Sequence, residues 1–385
     1  MIRLLLFLCL LLLPVGAQAS ACGELRGLVG PARPGFVPSY PTAPPGVLHN
    51  AAYLYDTDAA ILGLIACHDR ARALVLGQAL LWAQEHDRFW HDGRLRNAYR
   101  AGPPSDPVAL PGWWDDRQKR WLEDRYQVGS DSGNMAWTLL ALLALDDGRD
   151  PRFRAAALKL AGWMGQWLDD KAPAGFTGAT LGFEPVPDVR TWKSTEQNTD
   201  LAAAFTLLAA RDADPRWRRY ARTAAAFVAA MWRPACGCFA AGTGPDGATL
   251  NPTLALDAQV WPPTALPALR AKPVWPLLDR VFAIHGGMAY GPARDGLWSE
   301  GTAQAALLAR LVGQTDRYHT LMAALARQQA PGGGDFATDA PALPTGFMLE
   351  SDPSRPRLYF HLPHLGATAW AALAETGWNP FTLGK

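Results

Sequence analysis

Two kinds of apolar segment alternate along this chain. The first opens on a polar or acidic cluster and continues as an Ala-rich, nearly uncharged run. Six segments have this form: Tyr55-Asp56-Thr57-Asp58 before AAILGLIA, Asp131-Ser132-Gly133-Asn134 before MAWTLLALLAL, Glu196-Gln197-Asn198-Thr199-Asp200 before LAAAFTLLAA, Asp257 before AQVW, Glu300-Gly301-Thr302 before AQAALLARLV, and His364-Leu365-Gly366 before ATAWAALAETG. Helices that are apolar on most sides belong in the interior. The second kind is amphipathic and studded with arginine, as in HDRARALVLGQALLWAQEHD, PRFRAAALKLAGWMGQWLDD, PRWRRYARTAAAFVAAMW and RYHTLMAALARQQ. Such helices have one wet face and belong outside.

The polar clusters recur every 60–75 residues or so, except between Asp257 and Glu300, where Pro262, Pro263 and Pro267 shorten the unit. Each interval holds one inner and one outer helix. The pattern therefore predicts an all-α (α/α)6 toroid over 47–385, a double ring of about six helical hairpins, none able to cover its apolar face alone. Because each inner helix is entered from a polar cluster, the clusters should gather at one rim, where helix N-termini and their unpaired N–H groups also point. Long stretches without helical period, 94–126, 175–195 and 338–363, supply rim loops, which at such length are usually functional. One short β-hairpin is expected to turn at Pro245-Asp246-Gly247.

The N-terminus reads as a leader rather than part of the ring. Arg3, an apolar run from Leu4 to Leu13, and Ala17-Gln18-Ala19 form a signal peptide over 1–19, so the expected location is periplasmic or secreted. Ala19-Ser20-Ala21-Cys22 also fits a weak lipobox, which would make the leader 1–21, lipidate Cys22 and anchor the chain at the outer membrane. Residues 20–46, rich in Pro and Gly, read as an extended arm. Cys67, Cys236 and Cys238 remain, a loop disulfide involving Cys236 or Cys238 is expected with its partner left open, and no zinc-site spacing occurs.

Charge narrows the partner. The formal net charge is +1, and losing Arg3 leaves balance, which disfavours nucleic acid and anionic membranes. A neutral ligand fits better, and the 16 tryptophans offer flat faces for sugar rings as well as helix packing. No phosphate loop, paired-His metal motif or nucleophile elbow is present, so no cofactor and no metal are expected, and the protein is read as a monomer.

Glycoside hydrolysis needs two carboxyl groups, one protonated for the leaving oxygen and one ionised to activate water or attack. Glu196, Asp257 and Glu300 are the catalytic candidates, although each also reads as a first-turn or capping acid. Asp257, flanked by apolar residues, must be paired or have a raised pKa. Asp56, Asp58, Asp131, Asn134, Asn198, Asp200 and His364 are candidates for sugar hydroxyls, and Trp192, Trp261 and Trp298 for stacking. Trp370 fits helix packing better.

The blocks Lys193-Ser-Thr-Glu-Gln-Asn-Thr-Asp200, Trp298-Ser-Glu-Gly-Thr-Ala-Gln304, His364-Leu-Gly-Ala-Thr-Ala-Trp370 and Gly377-Trp-Asn-Pro-Phe381 resemble those of a group of secreted bacterial proteins. That group is similar to a branch of the six-hairpin glycosidases, with endoglucanase-type assignments. The resemblance runs from Tyr53 to Phe381 and implies an (α/α)6 toroid that acts on glucans or related polysaccharides by inversion. Gln197 stands where the related pattern has His. The leading expectation is an inverting hydrolase with Glu196 as general acid and Asp257 or Glu300 as base. A polysaccharide lyase or sugar epimerase is the alternative, carried by Arg94, Arg96, Tyr99, Arg100, Arg190 and His364. A non-catalytic sugar-binding lipoprotein is the third reading.

Overall fold

The computed structural model describes residues 20–30, 33–349 and 354–384; the expected leader, 1–19, lies outside them. Twelve α-helices occur among the described residues: α1 (Ala21–Leu28), α2 (Leu54–Ala66), α3 (Arg70–Glu85), α4 (Ser132–Leu145), α5 (Pro151–Met164), α6 (Thr195–Ala209), α7 (Pro215–Ala230), α8 (Asp257–Ala265), α9 (Trp275–Leu277), α10 (Ser299–Leu311), α11 (Thr315–Ala326) and α12 (Leu365–Thr376). Each even-numbered helix packs on the next, and α12 packs on α2, so the inner ring closes. The odd-numbered helices lie outside it: α3 rests on α2 and α4, α7 on α6, α11 on α10 and α12, and α1 on α12 and α2. This is the (α/α)6 toroid that the alternation predicts.

The two helix types earn their places by composition. In α4 every residue from Ser132 to Leu143 is buried, as an uncharged run allows. In α7 only Trp217, Ala221, Ala224, Phe227 and Val228 are buried, a stripe at helical spacing that leaves the arginines in water. Small residues let the inner helices touch: a Cβ on Gly63 of α2 would sit 3.2 Å from the Ala369 carbonyl oxygen of α12. The short unit is α8, interrupted by Pro262 and Pro263, whose missing N–H groups limit its length. Its outer partner is reduced to α9 and one π-helical turn, Leu278–Phe282.

The N-terminal arm is not wholly extended. Ser20 caps α1 by accepting from the Gly23 N–H, and α1 is the outer helix that closes the ring. Its eight residues were hidden in a Pro- and Gly-rich stretch too short for a periodic signal. Cys22 is bonded to Cys67 at the end of α2. A sulfur so engaged cannot also carry a lipid thioether, which corrects the lipobox reading. Cys236 and Cys238 form the second disulfide.

The expected hairpin is present, with Gly242–Thr243 paired to Leu250–Asn251 around the Asp246 turn. It is not alone. The rim loops carry further hairpins, including Trp113–Asp115 with Arg120–Leu122, Ala179–Leu181 with Asp188–Arg190, and Ala342–Met348 with Pro356–Phe360. Most of these strands are too short to show a two-residue period.

Candidate active site

The starts of all six inner helices open onto one cavity of about 930 Å³. Caps fix those starts. Asp131 accepts from the Asn134 N–H, Ser194 from the Gln197 N–H, and His364 from the Ala367 N–H. A capping residue sits where the chain enters its helix, so each cluster is delivered to the same end of the ring. Asp56, Asp131, Asn134, Glu196, Asp200, Asp257, Glu300 and His364 all line the cavity.

The three candidate catalytic acids fall into two groups. Glu196 and Asp257 meet as a carboxyl pair, and crowding two carboxyls at one site favours a shared proton over two charges. Burial, followed by the charges of Asp257, Asp131 and Glu300, pushes Glu196 well above the ordinary carboxylate range. Asp257 is also raised, by burial, while the Ala258 N–H at 2.6 Å and Glu196 favour its charge. Glu196 retains some accessible surface, whereas Asp257 is 6 % exposed.

Glu300 stands apart from that pair. Its Oε1 accepts from Tyr55 Oη at 2.5 Å and from Gln304 Nε2 at 3.3 Å, and Tyr55 accepts from Trp370 Nε1 at 2.6 Å. Its Oε2 is buried with no hydrogen-bond partner. Burial raises its pKa to about 7, with Asp56 and Asp257 adding to the rise and His364 and the Tyr55 bond opposing it.

Beside Glu300, His364 Nε2 lies 3.1 Å from Asp56 Oδ2. Gly366 permits the approach, since a Cβ there would sit 2.5 Å from Asp56 Oδ1. Burial opposes charge on the imidazole, but Asp56 and Glu300 outweigh it and the net shift is upward. Against that stands the Ala367 N–H, 3.2 Å from Nδ1, which needs a lone pair to point at. The ring proton on Nε2 is donated to Asp56.

Asp56, Glu300 and His364 place ligand atoms within 4.8 Å of one another, a set that could hold a divalent cation by number. The donors do not fit one. Metal-bound histidine donates its other N–H outward, whereas here Nδ1 accepts, so a metal on Nε2 would require an anionic ring.

Several expected binding residues sit elsewhere. Asn198 is fully buried behind the wall, where it accepts from the Phe176 N–H and donates to the Phe176 and Ser194 carbonyls. Asp58, also absent from the cavity, accepts from Thr138 Oγ1 at 2.7 Å, and burial pushes its pKa well above the ordinary carboxylate range. Each is two positions, about half a turn of helix, from a cavity-lining residue, and that rotation turns its side chain into the helix packing instead. Asp200 lines the cavity deeply; burial, then Glu196 and Asp257, raise its pKa, and neither oxygen reaches good hydrogen-bond geometry with a neighbour. Trp192 is a partly exposed wall residue, and Gly178 leaves room for its ring. Trp261 and Trp298 are 2 % exposed. Trp261 is stacked between Tyr55 and Trp370, and Trp298 is held by Tyr290 and Tyr359, so both form floor rather than open stacking platforms. Trp370 packs between helices, as expected. Gln197 lines the cavity and accepts from Ser132 Oγ at 2.9 Å.

The residues expected to carry a lyase or epimerase reading lie away from the cavity, His364 excepted, and its basic lining includes Lys193, Arg355 and Arg357 instead. Arg96 is buried in ion pairs with Asp87 and Glu184, Arg94 pairs with Asp92, and none of Arg94, Arg96, Tyr99, Arg100 and Arg190 lines the cavity. The sequence reading passed over the wall tyrosines, among them Tyr55, Tyr126, Tyr290 and Tyr359, and Arg357, which lies 3.7 Å over the Tyr126 ring. Tyr55 was legible as the neighbour of Asp56; the rim residues carry no periodic signal.

No protein-family model matches the sequence, and no curated protein matches it. Solved structures do match in shape. A glycosidase variant superposes with a TM-score of 0.62 over 95 % of this chain and 97 % of its own, at 14 % identity. An α-amylase from Clostridium perfringens gives 0.63 over 95 % and 100 %, at 10 % identity. Cellobiose 2-epimerase from Spirochaeta thermophila gives 0.61 over 92 % of each chain, at 14 % identity. The chain is thus an (α/α)6 toroid, the architecture it shares with these carbohydrate-active proteins.

Proposed function

We propose that this protein is an exported glycoside hydrolase that cleaves a poly- or oligosaccharide by inversion, with Glu196 as general acid and Glu300 as general base. The observation that supports the reading is the gathering of carboxyls on one cavity, with Glu196 and Asp257 paired on α6 and α8 and Glu300 held by Tyr55 and Gln304 on α10. Asp257 touches Glu196 and therefore cannot also stand across the scissile bond from it. An inverting base must leave room for water. Glu300 suits that role because it lines the cavity from a different inner helix and its carboxyl is fixed by Tyr55 and Gln304. Asp257 positions and supports the Glu196 proton. The glycosidase and α-amylase neighbours support carbohydrate chemistry on this fold.

A panel of glucans, mannans and uronic-acid polymers with product analysis tests the reading. Hydrolysis that E196Q and E300Q each abolish, with thermal stability retained, is the expected result. A fully active E196Q removes Glu196 from the mechanism.

One observation favours a second reading. His364 and Asp56 form a buried imidazole–carboxylate dyad on the cavity, suited to moving a proton at a sugar carbon, and cellobiose 2-epimerase and D-mannose isomerase share the fold. A product of unchanged mass from a free sugar, lost in H364A, would establish it.

A further inference from the structure

Eight large hydrophobic side chains are exposed among the described residues, and six of them fall in one sector: Phe89, Trp114, Trp121, Phe183, Val186 and Val189. Their segments are stitched together by ion pairs. Arg88 joins Glu123 to Glu184, and Arg125 pairs with Asp188. These ion pairs group the segments that carry the exposed side chains, so the exposure is not scattered singly over the surface.

Two indoles dominate the group. Trp114 and Trp121 are directly opposed across the hairpin of Trp113–Asp115 and Arg120–Leu122, which places both side chains on one face of the ribbon. They are 55 % and 44 % exposed. The Trp114 N–H is held by Asp116 at 3.2 Å, and Arg100 lies 5.3 Å over the Trp121 ring. Both rings are thus oriented while retaining open area.

The chain runs from these side chains into the cavity wall. Asp124 and Tyr126, just past the Trp121 strand, line the cavity, and so does Leu181, two residues before Phe183. A linear chain leaving the cavity between these walls would meet the hairpin next. The carboxylates of Glu123, Glu184 and Asp188 beside these side chains are each paired with arginine, and the apolar face of a neutral sugar stacks on indole.

We propose that Trp114 and Trp121 form an extended binding platform for the same polysaccharide that enters the cavity, holding neutral sugar units beyond the reacting bond. This rests on the glycoside hydrolase reading for its substrate class. It makes the enzyme favour polymers over short oligosaccharides.

Affinity electrophoresis of the full mature protein through gels containing soluble starch or mixed-linkage β-glucan tests it, with maltopentaose and cellopentaose turnover measured in parallel. Wild type should be retarded by one polymer, and W114A/W121A should lose about tenfold or more of that affinity. Circular dichroism and pentaose turnover should stay unchanged in the variant. Wild-type mobility unaffected by both polymers, or equal retardation of the variant, overturns the platform even if pentaose is cleaved. A dimer in solution that the double variant dissolves also overturns it, by assigning these side chains to a second copy. Retardation that depends on both tryptophans without any turnover supports the platform and overturns the hydrolase reading instead.

Discussion

Tyr55 donates a hydrogen bond to Glu300 across 245 residues of sequence, at 2.5 Å from Oη to Oε1. The contact joins the first inner helix to the fifth and sets how readily Glu300 ionises. The Tyr55 bond favours the charged carboxylate and partly offsets its burial. Y55F should therefore raise the Glu300 pKa and move the acid limb of the rate profile to higher pH. A hydrogen bond to a charged group contributes about 1.5–3 kcal/mol, so kcat/KM at neutral pH should fall by roughly 10- to 100-fold. A pH–rate profile of Y55F with an unmoved acid limb would refute the coupling.

The same carboxyl sets the wild-type profile. In the proposed role of general base Glu300 must be ionised, and its pKa is raised to about 7. Activity should rise with pH through about 7 and decline only where the Glu196–Asp257 pair loses its proton. E196Q should lower kcat by about 10²- to 10⁴-fold, the range of general acid–base catalysis, and erase the alkaline limb. Steady-state kinetics across pH check both statements; an optimum near pH 4 would contradict the base assignment.

Much of this arrangement was legible in the chain. The six polar clusters announced inner-helix starts because a cap and an uncharged run have to coincide there, and Glu196, Asp257, Glu300 and His364 were visible as residues at those starts. Direction within a turn was not legible. Asn198 and Asp58 differ from Glu196 and Asp56 by two positions, about half a turn of helix, and that rotation takes them from cavity to packing. Nor was the pairing of Glu196 with Asp257, which depends on how α6 and α8 approach. Trp261 resembled a platform in sequence, and only its neighbours Tyr55 and Trp370 reveal it as floor.

Cys22–Cys67 closes a loop with a sequence separation of 45 and fastens α1 to the end of α2. Loop-closure entropy for that length corresponds to about 4 kcal/mol. C22S/C67S should unfold at clearly lower denaturant concentration than wild type while keeping its active-site chemistry when folded. Equilibrium denaturation checks this; an unchanged midpoint would show that the bridge does not hold the N-terminal helix.

Asp335 provides a pH test of stability away from the cavity. Burial, with Glu24 and Glu375 adding to it, raises its pKa to about 7, and one of its oxygens has no hydrogen-bond partner. A carboxyl whose folded pKa lies above its unfolded value contributes stability below the unfolded value, and that contribution is lost as pH rises through the folded one. Its share of stability should therefore fall between about pH 4 and 7. D335N should melt a few degrees above wild type at pH 8 and lose that difference at pH 4, as read by differential scanning calorimetry.

The most direct test of the central claim is proton NMR of the reaction in D2O, which reads the anomeric configuration of the first product formed and deuterium uptake at C2. The two-acid assignment requires a new reducing end of inverted configuration and no deuterium on carbon. Retained configuration, or deuterium at C2 with no bond cleaved, would contradict it.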